Sequence, residues 1–408
     1  MKKKVIVLGG SLDQKKLVEA LKDRGFYTII IDYNESPPAK AVADKHYQFS
    51  WDDREKVLSI AKTEDVELVL TSSIDKAQNI AAYVSDKLSL DFQISFEQAQ
   101  QTTNKLLMKE IMCKNDIPTA KHIIIKNNDD LLTLKDFSFP AIMKPVDNSA
   151  SRGIYVVNNY EDVLKYYPSS LKHSESQTVL VEKFIGGYEL SVDCFVVNSQ
   201  AKVLMITKNV TQLYKSTSII LRNLYEPDFF RANKQKIEQI CQNIANAFRL
   251  ENSPLFVQMK IVDDEIFVIE LTARLAGGFK SYFLEQTIGI NPLEIYLDVL
   301  LGKTVKLEPQ YSELFTSLNF VLAEKGIFKT VSSIETLQEK QYIDKFLYSK
   351  FIGNQVLGTY NGSDRIGAFI NSAETMCALK DKINTVYEQI EVLNENDDNI
   401  LIVEPFLI

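Results

Sequence analysis

The sequence predicts an α/β protein built in three successive regions, and three observations lead there. From residue 4, short β-branched runs (5–8, 27–32 and 68–71) alternate with amphipathic stretches (about 13–24 and 53–63), the rhythm of parallel strands joined by crossover helices. From about 97 to 305 the apolar runs come instead as pairs joined by loops rich in glycine and small polar residues. From 306 to 408 short strands such as 318–322 and 366–370 alternate with a helix at 373–386, and 386–387 with 390–392 suggests a closing strand.

In the first region, Gly9-Gly10-Ser11 follows the first strand, and Asp32 closes the second. A bound dinucleotide would use such positions, but the three-glycine spacing it needs is missing, so a tight strand-to-helix turn bordering a small-substrate site is expected. Ser72, Ser73 and Asp75 after the fourth strand are candidate substrate contacts, although a capped helix start accounts for them equally well.

Composition narrows the function classes. With 408 residues and 45% apolar content, the chain can bury two or three ordinary cores. Its net charge of −8, with basic residues dispersed, argues against a nucleic-acid partner. The basic start Met1-Lys2-Lys3-Lys4 is followed by an apolar run too short for a signal peptide and broken at Asp13 and Gln14. No run approaches the roughly twenty apolar residues of a membrane span. Cys113, Cys194, Cys241 and Cys377 lack paired spacing, and His46, His122 and His173 are scattered, so neither a zinc site nor a disulfide frame is expected. Cytoplasmic localisation is the simplest expectation.

Three elements of the middle region carry chemistry. Glu270, Thr272 and Arg274 stand two apart near the end of an apolar run, so a strand would set an anion, a neutral oxygen and a cation on one face. That row suits a magnesium-bound triphosphate; it also fits a strand edge with surface charges. Lys144 ends another apolar run just before Pro145, and the following 148–153 loop, with Arg152, can turn backbone N–H groups toward an anion. An ordinary hairpin with a flexible tip would look similar. A third pair of runs, 179–197, bends at Gly186-Gly187 with Glu182, Lys183 and Glu189 around the bend, where an adenine edge and ribose hydroxyls could be met.

In this order and spacing, Lys105, Lys144 with its loop, 182–189 and 258–278 resemble the ATP-grasp superfamily, and within it the carboxylate–amine ligases such as L-amino acid ligases, biotin carboxylase and the grasp domains of the carbamoyl-phosphate synthase large subunit. The resemblance implies a Rossmann-like domain at 1–96, a two-lobed α+β grasp domain at 97–305 with its lid at about 117–183, and a small C-terminal α+β domain at 306–408. It implies ATP and Mg2+ (or Mn2+) as cofactors. Lys105 and Lys144 would meet the phosphates, with Ser149, Ser151, Arg152 and Gly153 in the loop closing over them. Glu182 would meet the adenine amino group, Lys183, Phe184 and Ile185 would line the base, and Glu189 would hold the ribose. Gln258, Glu270 and Thr272 match the metal positions, and Arg274, with Lys144 and Glu270, would act on the transferring phosphoryl group. Two residues depart from the family pattern: Gln258 stands where glutamate is frequent, and Thr272 where asparagine is usual. Both still offer neutral oxygens.

Of Lys208, Lys215 and Arg222, either one reaches the γ-phosphate or the substrate carboxylate, or all three belong to a solvated loop. Gly277, Gly278, Phe279 and Lys280 sit where related ligases admit the acceptor. Residues 291–302 read as a core helix with a glycine stop. The implied activity activates a small carboxylic acid as an acyl phosphate for attack by an amine or thiol, the amine being an amino acid or related metabolite. The alternatives are an ATP-binding protein of the same fold with little turnover, or an enzyme that activates bicarbonate. The expected partners are small-molecule carboxylate and amine substrates, and a homodimer is the expected assembly.

Overall fold

A parallel four-stranded sheet opens the chain in the computed structural model, which describes residues 2–147, 153–214, 217–359 and 362–403. Strands β1 (Lys4–Leu8), β2 (Tyr27–Asp32), β3 (Lys45–Gln48) and β4 (Leu68–Leu70) lie in the order β3-β2-β1-β4, with helices α1 (Leu12–Asp23), α2 (Arg54–Glu64) and α3 (Asp75–Leu88) between them. Strands β1, β2 and β4 are largely apolar because both faces are covered, whereas the edge strand β3 is polar: Ile6, Leu8, Ile29 and Ile31 fill one core, while Val5, Val7 and Ile30 fill another. The Gly9-Gly10 turn serves packing. A Cβ on Gly10 would lie 2.5 Å from Pro37, so only glycine lets the chain after β2 cross this close. Asp32 is likewise occupied locally, accepting from the backbone and side-chain nitrogens of Asn34 at 2.8 and 2.9 Å.

Helices α4 (Phe96–Gln101) and α5 (Lys105–Lys114) lead into the middle region. The helix expected from Thr103 starts at Lys105, because Asn104 caps it by accepting from the backbone of Leu106 and Leu107. An antiparallel sheet follows, in the order β5-β8-β6-β7, from β5 (His122–Ile125), β6 (Ala141–Pro145), β7 (Tyr155–Val157) and β8 (Val179–Lys183). Helices α6 (Asn128–Leu132) and α7 (Tyr160–Leu171) cover it around Met143, Val157, Val163 and Val181. This sheet is the first lobe.

The second lobe is organised by β9 (Tyr188–Val197), β10 (Gln200–Tyr214), β11 (Thr217–Tyr225), β12 (Ser253–Val262) and β13 (Glu265–Thr272), with α8 (Pro227–Ala247), α9 (Lys280–Ile288) and α10 (Pro292–Leu300). The C-terminal region supplies β14 (Phe315–Leu322), β15 (Gly326–Val331), α11 (Ile334–Glu339), β16 (Lys345–Tyr348), β17 (Gln355–Val356), β18 (Arg365–Ala373), α12 (Met376–Gln389) and β19 (Val392–Asn394). Three of these strands do not form a sheet of their own. They extend the second lobe into one eight-stranded sheet, β13-β12-β9-β10-β11-β14-β18-β16, while β17-β15-β19 make a small separate sheet. Helix α12 absorbs the strand expected at 386–387, since Leu379, Ile383, Val386 and Tyr387 keep helical spacing on its buried face; the closing strand is β19. Among the described residues, no helix is long and apolar enough to cross a membrane.

Glu64, at the end of α2, ties the leading sheet together: Lys4 donates to it at 3.0 Å and Tyr47 at 2.6 Å, and Lys45 also donates. The bonds from Lys45 and Tyr47 hold its carboxyl down to about 2, from an ordinary value of 4.5. Its stabilising contribution is therefore present above about 4.5 and is lost as pH falls toward about 2. Glu64→Gln should remove a contribution on the order of 1 kcal/mol, reduced from the nominal value by solvent screening. Urea midpoints at pH 7 and pH 3 check this: the difference between wild type and variant should shrink at the lower pH.

Candidate active site

The polar row on β13 meets a matching position on β12. Glu270 lies directly opposite Gln258, next to a bulge that follows Gln258, so the two side chains share one face of the eight-stranded sheet. The Lys105 ammonium, from the first turn of α5, stands 3.3 Å from Glu270. Farther along the strand, Arg274 donates through Nε and Nη2 to both carboxylate oxygens of Asp75, at 2.6 and 2.8 Å, and Thr272 donates to the same carboxylate at 2.9 Å. Asp75 opens α3, so this clamp ties the leading domain to the grasp sheet. Burial pushes the Asp75 carboxyl up, but Arg274, Thr272 and Lys105 outweigh it and hold the group below its usual range.

The second cluster joins the two lobes. On β8, Glu182 accepts from Lys144 of β6, and Lys109 of α5 reaches its other oxygen at 3.1 Å. All three side chains are buried. Burial opposes ionisation of Glu182, yet the two lysines win and keep its carboxyl below the ordinary range. The same burial pulls the Lys109 ammonium down against the pull of Glu182. Two ammonium groups on one carboxylate leave an excess positive charge in a desolvated place, and an incoming phosphate would relieve it. Lys109 also donates to Thr119, whose hydroxyl donates to the Val268 carbonyl at 2.7 Å, fixing the cluster to β13 two residues before Glu270.

Around the bend between lobes, Lys183 donates to the Phe139 carbonyl at 2.9 Å, Phe184 is exposed and Ile185 is half-buried. Gly187 is obligatory here: at φ +71°, its Cβ would sit 2.0 Å from the Ile261 carbonyl oxygen. Glu189 accepts from Asn209 at 3.0 Å, within a chain that continues to Ser191 and Asn223. Its neighbour Lys208 behaves differently. It pairs with Glu226 at 2.9 Å and lies over the Tyr188 and Phe229 rings, on the α8 side of the sheet and away from Glu189, so it is not brought to the polar row.

At the turn after Arg274, Gly277 packs against Ser73 and Gly278 faces Arg365 and Phe320, while Phe279 and Lys280 are buried. Lys280 turns inward, donating to Thr207 at 2.7 Å and lying 3.5 Å from Asp193, and so anchors the turn to the sheet. Of the loop positions, Gly153 adopts φ +75° and accepts at its carbonyl from Ser170; Ser149, Ser151, Arg152 and also Lys215 lie outside the described residues.

Lys109 and the pairing of Asp75 with Arg274 were not anticipated from sequence. Lys109 had a usable signal, four residues beyond Lys105 and hence on the same helix face. Ser191 and Asp193, alternating inside an apolar strand, were another. For a metal, the donors are the Glu270 carboxylate and the Gln258 amide, with Thr272 already engaged by Asp75. Among the described residues there is no group of three or more histidine, cysteine or acidic side chains suited to a metal. All-oxygen donors that include one carboxylate, itself beside the Lys105 ammonium, fit magnesium carried chiefly by a polyphosphate rather than a protein-only cage.

Comparison with known proteins agrees with this geometry. Residues 137–281 match the family described as ATP-grasp domain. Dapdiamide A synthase from Enterobacter agglomerans is 20% identical over 309 residues, 71% of either chain. A formate-dependent phosphoribosylglycinamide formyltransferase from Prochlorococcus marinus is 27% identical over 195 residues, so the match spans 47% of this chain and about half of that enzyme. The crystal structure of an L-amino acid ligase from Bacillus licheniformis superposes with a TM-score of 0.78 at 15% identity, covering 97% of this chain and 99% of that one. With its polar row, its lysine–glutamate cluster and its two lobes, the chain carries an ATP-grasp domain match over residues 137–281 and shares the fold of the L-amino acid ligase structure along nearly its whole length.

Proposed function

We propose that the protein is an ATP-dependent ligase that joins a small carboxylic acid to an amine, releasing ADP and phosphate. The observation that carries this conclusion is the convergence of Lys105, Lys109 and Lys144 with Glu270 and Arg274 where the two lobes and the leading domain meet. Such a concentration of cations around so few carboxylates suits a triphosphate, and Arg274 stands beyond Glu270 on the same strand end, where a transferred phosphoryl group would be held. Among the relatives, an L-amino acid ligase and dapdiamide A synthase support an amine acceptor. Small metabolites as both substrates, a cytoplasmic setting and a homodimer complete the proposal, on the strength of the family resemblance.

In the first step, a donor carboxylate oxygen attacks the γ-phosphorus, and the bond from that phosphorus to the β-phosphate oxygen breaks, with ADP leaving with the electron pair. Lys105 and Lys144 neutralise the phosphates, and Arg274 offsets charge spread over the transferring group. Gln258 and Glu270 would hold magnesium, which supplies further charge neutralisation on the phosphates when bound. In the second step the amine lone pair attacks the acyl carbon, a C–N bond forms, the C–O bond to phosphate breaks, and the nitrogen gives up one proton. Asp75 keeps Arg274 extended along the sheet end throughout. The bend around Glu182 to Glu189 receives the nucleoside, and closure of the first lobe excludes water that would hydrolyse the acyl phosphate.

Phosphate release from ATP and magnesium, measured with pooled amino acids and with pooled small carboxylic acids including bicarbonate, tests the proposal. Release should require a substrate pool and should fall at least about a thousandfold in Glu270→Ala. Release dependent on bicarbonate alone would replace the carboxylic-acid donor by bicarbonate. ATP binding without release in any pool would favour a nucleotide-binding protein with little turnover, for which the engagement of Thr272 by Asp75 would be the structural reason. A second outcome concerns the lysine cluster. Glu182→Gln leaves Lys109 and Lys144 buried without a counter-charge, and should cost about 3 kcal/mol of stability in urea denaturation. Saturating ATP should then stabilise the variant more than the wild type, because its phosphates offset a larger excess of positive charge; equal stabilisation would contradict a nucleotide at this bend.

A further inference from the structure

Beyond the polar row, a second pair of opposite charges faces the Gly277-Gly278 turn, and its members come from regions far apart in sequence. Arg365 starts β18, and its guanidinium lies 3.5 Å from the centre of the Phe320 ring. A Cβ built on Gly278 would meet Arg365 Nη1 at 3.5 Å and Phe320 at 3.8 Å. Among the described residues, no carboxylate pairs with this guanidinium. Burial alone draws it down to about 10, without the compensating pull of any acid, and it stays charged at neutral pH. Arg274, by contrast, has Asp75. A half-buried cation left over a ring and beside a glycine is arranged for an anion that arrives from outside.

Asp13, in the first turn of α1, occupies the other side of the turn. Its Oδ2 accepts from Ser73 at 2.8 Å and would lie 3.8 Å from a Cβ on Gly277. Burial pushes its carboxyl up, opposed by Ser73, Lys16 and Arg274. Gly277 and Gly278 are consecutive, so Arg365 and Asp13 address neighbouring positions of one turn. Arg274 lies three residues before Gly277 on the same chain segment.

We propose that Arg365 and Asp13 recognise the incoming amine, Arg365 binding a carboxylate and Asp13 accepting from the nitrogen, so that the acceptor is an α-amino acid; this rests on the ligase reading given above. A single guanidinium matches a planar, singly charged carboxylate bidentately. A phosphate-bearing amine would bring a second negative charge, more than the one guanidinium of Arg365 neutralises. The leading domain and the C-terminal strands thereby become two walls of one acceptor site.

Calorimetry with the full chain, magnesium and a non-hydrolysable ATP analogue reads the pairing directly. The probes are the proteinogenic L-amino acids, their amides, and O-phosphoethanolamine. At least one amino acid should bind about a hundredfold more tightly than its amide. Arg365→Met should bring that ratio close to one, Arg365→Lys should restore part of it, and Asp13→Asn should weaken the amino acid and the amide alike. An amino-acid to amide ratio that persists in Arg365→Met, tighter binding of O-phosphoethanolamine than of any amino acid, or no amino-acid binding to the wild type would overturn the proposal. Thermal melting of each variant establishes that it is folded, and Arg365→Lys keeps the test open if Arg365→Met is not. Hydroxamate formation by the wild type, with hydroxylamine as nucleophile and the amino acids, formate, succinate and bicarbonate as donors, needs no acceptor carboxylate. Absence of hydroxamate with intact amino-acid binding would count against the ligase reading while leaving the recognition pair standing.

Discussion

Glu182 stands between two lysines that come from different lobes, and the organisation of the cleft depends on that contact. Lys144 and Glu182 belong to the first lobe, on adjacent strands, while Lys109 belongs to α5, which packs against the second. A buried carboxylate with one lysine would be a neutral pair; with two it carries a net positive charge into a desolvated place. That arrangement stabilises the fold less than an apolar core of equal size would. It creates, however, an electrostatic demand that a phosphate group satisfies. Lys105, one helical turn before Lys109, extends the same demand toward Glu270.

The second organising contact is the Asp75 clamp on Arg274. Because Asp75 lies at the start of a helix in the leading domain, the Arg274 guanidinium is oriented by a region that contributes no strand to the eight-stranded sheet. The C-terminal region enters by another route. Its strands β14, β18 and β16 continue the eight-stranded sheet, and this continuity carries Arg365 to the glycine turn that follows Arg274. Three stretches of sequence thus meet at one turn, each bringing a charged side chain. Lys280, buried against Asp193 and Thr207, holds that turn in place from beneath.

Much of this was legible in the chain. The alternation of runs in the first seventy residues gave the parallel sheet, since strands buried on both faces must be apolar throughout. The spacing of Glu270, Thr272 and Arg274 gave a row on one face, since period-2 geometry leaves little choice. Local pattern could not give the partners. Asp75 lies 199 residues from Arg274, and as a helix-start residue it looked like a cap. Lys208 looked like a cleft residue because sequence does not fix which face of a long hairpin faces the nucleotide; its partner Glu226 sits at the start of the helix on the other side. Arg365 carried no local signal at all, because its setting depends on which strand of the C-terminal region lies beside β14. The strand expected at 386–387 failed for a simpler reason, as the helical period of the preceding turns continued through it.

The most direct test of the central claim is the fate of the donor oxygen. The substrate identified by phosphate release is prepared with both carboxylate oxygens as 18O and turned over with unlabelled ATP and amine, and the released phosphate is analysed by mass spectrometry. Activation as an acyl phosphate requires that one donor oxygen leave with phosphorus, so each phosphate should carry a single 18O atom. Phosphate without label, alongside formation of the amide product, would contradict the account.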